Sequence, residues 1–146
     1  MTPRIYVRIA VAVFSLSIVF KLLSIALAPE RLVAAHGMFT FFNLRQFLFV
    51  TAVFKAGILL ALLANNRPTI SKVYVIYATA VLFAGYHAWM MAKGVSGCGC
   101  FGFFPVKALN RALDYFTHGV LLLLLIGGGV VIARETLRAD VPAKET

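Results

Sequence analysis

The sequence predicts an all-α integral membrane protein, a four-transmembrane-helix bundle, on three observations. First, its 146 residues are 62% hydrophobic and only 13% charged, with a mean hydropathy of +0.93. Soluble globules carry roughly 25% charged residues, so this composition excludes an ordinary water-soluble domain. Second, the apolar residues form four long runs separated by short polar or turn-forming segments. Third, the 14 basic residues, which give a net charge of +9, lie mainly at the ends of those runs. Lysine and arginine placed there anchor to anionic head groups and set topology. No basic cluster is interleaved with a polar domain, so the lipid bilayer is an expected partner and nucleic acid is not.

Residues 5–28 form the first expected span, with Arg4 and Arg8 at its start and Pro29-Glu30-Arg31 after it. At about 1.5 Å per residue it crosses a hydrocarbon core of about 30 Å. Its basic start, apolar centre and Ala26-Leu27-Ala28 ending imitate a secretory signal peptide. Lys21 within the run and Pro29 directly after the candidate cleavage site argue for a retained helix. Residues 29–45 read as a linker whose Phe39-Thr40-Phe41-Phe42 patch suits the membrane surface. His36 in that linker reads as a solvated loop histidine. The second span, 46–64, closes at the turn Asn65-Asn66-Arg67-Pro68. The third covers 72–93, and the fourth covers 106–133, opening beside Pro105. The membrane domain is therefore 1–133, and 134–146 is expected to be a poorly ordered polar tail.

Four spans put both termini and the Asn65-Asn66 turn on one side of the membrane. Arg4, Arg8, Arg67, Lys72, Arg134, Arg138 and Lys144 belong to that side; Arg31, Arg45, Lys93, Lys107 and Arg111 belong to the other. The positive-inside rule then predicts cytoplasmic termini. It also sends the connection between the third and fourth spans outside, where disulfides persist.

That connection holds Ser96-Gly97-Cys98-Gly99-Cys100-Phe101-Gly102 and both cysteines of the chain. Three glycines in so short a stretch predict a tight turn. A bridge between Cys98 and Cys100 closes a small ring, which predicts strain and easy reduction. Lys93, Lys107 and Arg111 flank the turn, and cations together with a helix N-terminus favour the reactive thiolate. One cysteine is then suited to attack a partner's disulfide and the other to resolve the mixed disulfide. The other readings are a membrane scaffold or transport component with incidental cysteines, and copper handling through Cys98 and Cys100 as soft ligands. Structural zinc, which wants four ligands, fits less well. No nucleotide loop, hydrolase triad or paired-carboxylate site is visible, and neither a cofactor nor a resident metal is expected.

Ionisable residues at membrane depth are costly and mark function. Lys21 and Lys55 are two such residues, and Ser17, Lys21 and Ser24 share one helical face that should look into the bundle. For either lysine the other reading is snorkelling to the interface, less so for the more central Lys55. Asp114 is the one acidic residue inside a span, and Lys107, Arg111, Asp114 and His118 draw a polar stripe down the fourth helix, starting beside the cysteine turn. These placements predict a Lys21–Asp114 pair. His87, alone on the third span, is expected to be a hydrogen-bonded bundle residue. Gly127-Gly128-Gly129 suits either close helix packing, including contact between copies, or a loose helix end.

Cys98-Gly99-Cys100-Phe101-Gly102, lying between a third and a fourth span, resembles the Cys-x-Cys-Phe-Gly signature of the MauE family of methylamine utilisation proteins, within the DoxX-like group. Val19-Phe20-Lys21-Leu22 is similar to the Phe-Lys-Leu segment of that group's first helix. The resemblance runs from about Arg4 to Ala133. It implies a multi-pass protein of the bacterial inner membrane assisting thiol–disulfide processing or maturation of a periplasmic client, with the disulfide-rich small subunit of methylamine dehydrogenase as one such client. A membrane-tethered or periplasmic thioredoxin-like protein is the implied partner. Cys98 and Cys100 would be the redox pair, with Lys21, Arg111, Asp114 and His118 in support. Where the family opens its fourth helix with Arg-Asn, this chain has Asn110-Arg111.

Overall fold

The computed structural model describes residues 2–27, 43–64, 68–93 and 107–139. They form four helices: α1, Pro3–Leu27; α2, Leu44–Leu63; α3, Thr69–Ala92; and α4, Lys107–Ala139. Each is long and apolar enough to cross a membrane, α4 through its Arg111–Leu137 stretch. The chain is a multi-pass membrane protein built as a helix bundle.

Only α-helices and closed barrels satisfy every backbone group inside hydrocarbon, which is why these apolar runs resolve into uninterrupted helices. Large apolar side chains point outward all around the bundle, among them Leu22, Phe49, Leu60, Leu82 and Ile126, and meet lipid. The interior is where the polar residues go. Ser17, Lys21, Ser24, Lys55, Thr79, His87 and Thr117 are all buried.

Helix α1 is the hub. It packs against each of the other three, whereas α2 leans mainly on α1, and α4 on α3 and α1. The main apolar core sits toward the end of the bundle that holds the start of α1. Tyr6, Ala10 and Phe14, spaced one turn apart on α1, meet Leu62, Val73, Ile76, Ala80, Leu124 and Val131.

The helix ends all shift from the sequence reading, α1 starting two residues earlier, and three of the shifts have local reasons. Helix α2 begins at Leu44 because Asn43 and Gln46 form a capping box: the Asn43 side chain accepts from the Gln46 amide at 2.8 Å, and Gln46 Oε1 accepts from the Asn43 amide at 3.1 Å. Helix α3 begins at Thr69, with Pro68 in extended backbone conformation as the residue before its first turn. Helix α4 continues to Ala139, so the first six residues assigned to the polar tail are helical. There the Thr136 hydroxyl bonds back to the Ile132 and Ala133 carbonyls, and the helix passes beyond its apolar stretch without a break. The linker with His36 and the aromatic patch, the 65–67 turn, the cysteine turn, Pro105 and the last seven residues lie outside the described residues.

Two contacts fasten the end of the bundle where α2 stops and α3 starts. Lys72 Nζ donates to the carbonyls of Leu62 at 2.7 Å and Ala64 at 2.6 Å. A helix C-terminus leaves carbonyls unpaired and carries partial negative charge, so an ammonium there serves both needs. Lys72, which the sequence suggests is a lipid anchor, is thus a cap for α2. In the same half, the buried Tyr6 hydroxyl donates to the Leu124 carbonyl at 2.8 Å. Its ring lies over Gly128, where an added Cβ would stand 2.6 Å from the Tyr6 hydroxyl oxygen and 2.7 Å from Tyr77 Cδ2. Gly128 is glycine because two tyrosines occupy the space of its side chain. The close-packing reading of the glycine run holds at this position, and the packing is within one chain.

Gly128→Ala should therefore lower stability in detergent by about 1–3 kcal/mol through overpacking, despite alanine's better helix propensity. Gly129→Ala, with open space at its Cβ, should be neutral or slightly stabilising. Equal thermal midpoints for the two variants would contradict this packing. Lys72→Met should cost about 1 kcal/mol, read from the same unfolding curves.

Candidate functional site

The two lysines at membrane depth are both inside the bundle: Lys21 is 1% exposed and Lys55 is 5% exposed. Neither snorkels. Lys21 on α1 donates to the Thr51 hydroxyl on α2, and Lys55 on α2 donates to the Ser17 hydroxyl on α1. The two bonds are reciprocal. Each helix offers a hydroxyl one turn before its lysine, and because α1 and α2 run antiparallel, each lysine meets the other helix's hydroxyl. Thr51 is held in place by its own bonds to the Phe47 and Leu48 carbonyls.

A sequence signal for this arrangement exists. Ser17-Ile18-Val19-Phe20-Lys21 and Thr51-Ala52-Val53-Phe54-Lys55 are the same pattern, hydroxyl-x-Val-Phe-Lys, on consecutive helices. Ser17, Lys21 and Ser24 do share the inward face that their spacing predicts, all three being buried. What spacing on one helix could not supply was the partner, Thr51.

The Lys55 ammonium also lies 4.7 Å from the centroid of the Phe83 ring on α3, a cation–π contact that gains strength in a desolvated setting. Beside it is a cavity of about 30 Å³ bounded by Lys55, Phe83, Thr117, Phe14 and Leu124 among others. That is room for a water molecule against a charged wall.

A second polar layer joins α3 to α4. The rings of His87 and His118 stand 4.3 Å apart, centroid to centroid, with their planes at 58°. His118 Nδ1 is 2.7 Å from the Asp114 carbonyl. A carbonyl only accepts, so Nδ1 carries the proton, and in the neutral ring Nε2 holds the lone pair. His87 is 7% exposed, and neither of its ring nitrogens has a hydrogen-bond partner among the described residues. His87 is thus the buried bundle residue expected, but the hydrogen bond expected of it is not found among the described residues. Its neighbour comes from another helix, which linear spacing does not show.

The α4 stripe divides. Asp114 and His118 are half-buried, with Asp114 within electrostatic reach of His87, whereas Arg111 is exposed. Lys107 is the first residue of α4. At the end of α3, Lys93 forms the C-cap and lays its ammonium 5.4 Å from the centre of the Trp89 ring. Cys98 and Cys100 lie outside the described residues, in the segment that joins Lys93 to Lys107. Among the described residues, no group of three or more histidines, cysteines, aspartates or glutamates is placed to hold a metal ion.

These features define a class, a multi-pass helical membrane protein with charged and imidazole-bearing layers inside the bundle. In comparison with known proteins, the chain matches no family model, no curated protein and no solved structure.

Double-mutant cycles test the reciprocal brace. Lys55→Met combined with Ser17→Ala, and Lys21→Met combined with Thr51→Ala, should each show a coupling energy of about 0.5–3 kcal/mol in reversible unfolding. Additive effects in both cycles would rule the brace out. A Lys21→Met, Asp114→Asn cycle reads the cross-bundle pair that the sequence leads one to expect.

Proposed function

We propose that the protein is an inner-membrane accessory for thiol–disulfide exchange, of the MauE and DoxX-like kind, with Cys98 and Cys100 as its redox pair. One observation carries the reading: the chain's two cysteines sit as Cys-Gly-Cys in the single short segment joining α3 to α4. Those two helices pack against each other, so the segment is tied at both ends to one end of the bundle. Its flanks are cationic, with Lys93 at one end and Lys107 and then Arg111 at the other. Positive charge favours the thiolate, the form that attacks.

The step is an exchange of sulfur partners. A thiolate of the pair attacks a disulfide of the partner, one partner sulfur leaves as thiolate, and a mixed disulfide forms. The second cysteine then attacks that bond, leaving Cys98 joined to Cys100 and the partner reduced by two electrons. Run in reverse, the same step oxidises a client dithiol. In the orientation favoured by the positive-inside rule, the pair faces the periplasm and a thioredoxin-like protein or a disulfide-rich client. The methylamine dehydrogenase small subunit fits that description. Asp114 and His118 lie on the helix that leads away from the pair, and Lys21 braces the helix at the hub.

Alkylation of intact cells with a membrane-impermeant thiol reagent, before and after mild reduction, tests the pair and its side of the membrane. Labelling that needs prior reduction is expected. Of Cys98→Ser and Cys100→Ser, the variant that lacks the resolving cysteine should then accumulate a mixed disulfide with the partner, visible on non-reducing gels. A double variant that retains full activity in cells would sink the proposal in favour of a scaffold.

A further inference from the structure

The geometry points to an anionic phospholipid seated in the groove between the end of α1 and the start of α2, its phosphate on Asn43, Arg45 and Gln46 and its acyl chains on Leu22, Ile25 and Phe49. The site stands apart from the thiol reading and uses none of its residues.

The first supporting feature is the groove itself. Where α1 ends and α2 begins, those six residues bound a space of about 530 Å³. That falls within the roughly 300–1,000 Å³ of small-molecule sites. The second is a gradient in depth. Asn43, Arg45 and Gln46 belong to the cap and first turn of α2, and Phe49 lies on the same face as Arg45 about 6 Å farther along the axis. From α1, Leu22 and Ile25 come one turn apart, and the bond from the neighbouring Lys21 to Thr51 holds the two helices in this alignment. Leu22 and Phe49 are at least half exposed on the side that meets lipid. A polar rim over an apolar wall repeats the division within a phospholipid.

The third feature is the direction of the hydrogen bonds. In the capping box, the backbone N–H groups of Asn43 and Gln46 can only donate, so each side chain turns its carbonyl oxygen toward the cap. What the two side chains have left to offer is their NH2 groups. Arg45, exposed between them, adds a guanidinium, which is also a donor only. No acidic side chain bounds the groove. A positively charged rim made of donors matches the phosphate oxygens of a lipid, which only accept, and a guanidinium takes them through two parallel bonds. The same rim has nothing to receive the ammonium of a zwitterionic head group, which selects a lipid of net negative charge. Basic pockets between membrane helices hold anionic head groups on this basis. Bound there, the lipid joins the ends of α1 and α2 beyond the lysine brace.

The test is native mass spectrometry of the full-length protein, delipidated in detergent and titrated with phosphatidylglycerol or with phosphatidylcholine of the same acyl chains. One phosphatidylglycerol should bind at least about 10-fold more tightly than phosphatidylcholine, the scale of one charge-assisted hydrogen bond. Arg45→Gln should remove that preference. Arg8→Gln, near the start of α1, and Arg111→Gln, near the start of α4, are exposed controls and should keep it. Gln46→Glu separates the rim from the fold: glutamate serves a capping box as well as glutamine, so α2 keeps its start, while a donor gives way to a negative charge. That variant should lose the lipid. Equal binding of the two lipids by wild type, equal losses in all three arginine variants, or a Gln46→Glu protein that binds as wild type does would each overturn the site. Soluble glycerol 3-phosphate, which offers the phosphate without the chains, should leave the lipid in place, and displacement at equal concentration would overturn it as a lipid site. The thiol proposal survives or fails separately, on mixed-disulfide trapping.

Discussion

Two ammonium groups enclosed by a bundle that lipid surrounds set the terms for everything else in this structure. A charge at the bilayer centre costs several kcal/mol unless polar groups receive it. The chain answers with hydroxyls from the facing helix, Ser17 for Lys55 and Thr51 for Lys21. Because the two bonds run in opposite directions across one antiparallel pair, they lock its register. Rotating either helix by a single residue, about 100°, would carry its lysine and its hydroxyl away together. The brace thus specifies how α1 meets α2, which apolar packing in lipid does poorly, since lipid tails are as apolar as leucine.

The remaining elements arrange themselves about that pair. Helix α1, already committed to α2, supplies a second surface on which α3 and α4 pack. Along it the character of the interior changes with depth. Near its start the contacts are aromatic and aliphatic, centred on Tyr6; farther along come Ser17, Lys21 and Ser24. The imidazole pair lies on the other side of the bundle, between α3 and α4. The cysteine-bearing segment joins the ends of those same two helices.

Much of this was legible in the sequence because membrane solvation acts on single helices. Run length and charge placement give four spans, and the i, i+4, i+7 spacing of Ser17, Lys21 and Ser24 gives their inward face. What stayed hidden depends on two helices at once. Thr51 is an ordinary threonine until Lys21 reaches it, and His87 looks solitary until α4 brings His118 alongside. Lys72 reads as an anchor because its reach to the Leu62 and Ala64 carbonyls depends on where α3 starts relative to the end of α2, not on hydropathy. The capping box at Asn43 and Gln46, by contrast, is a purely local signal, and it moves the start of α2 outward by two residues. The hydroxyl-x-Val-Phe-Lys repeat shows that even a pairwise feature can leave a trace when both partners carry the same pattern.

Gly128 has a mechanical consequence. Two tyrosines seated over one glycine bring α1, α3 and α4 together at one end of the bundle, and the Lys72 cap ties α2 to α3 at that same end. The far ends of α3 and α4 meet instead through two imidazoles in contact as rings. The molecule is therefore joined differently at its two ends, by tyrosines over a glycine and a lysine cap at one and by a pair of imidazole rings toward the other.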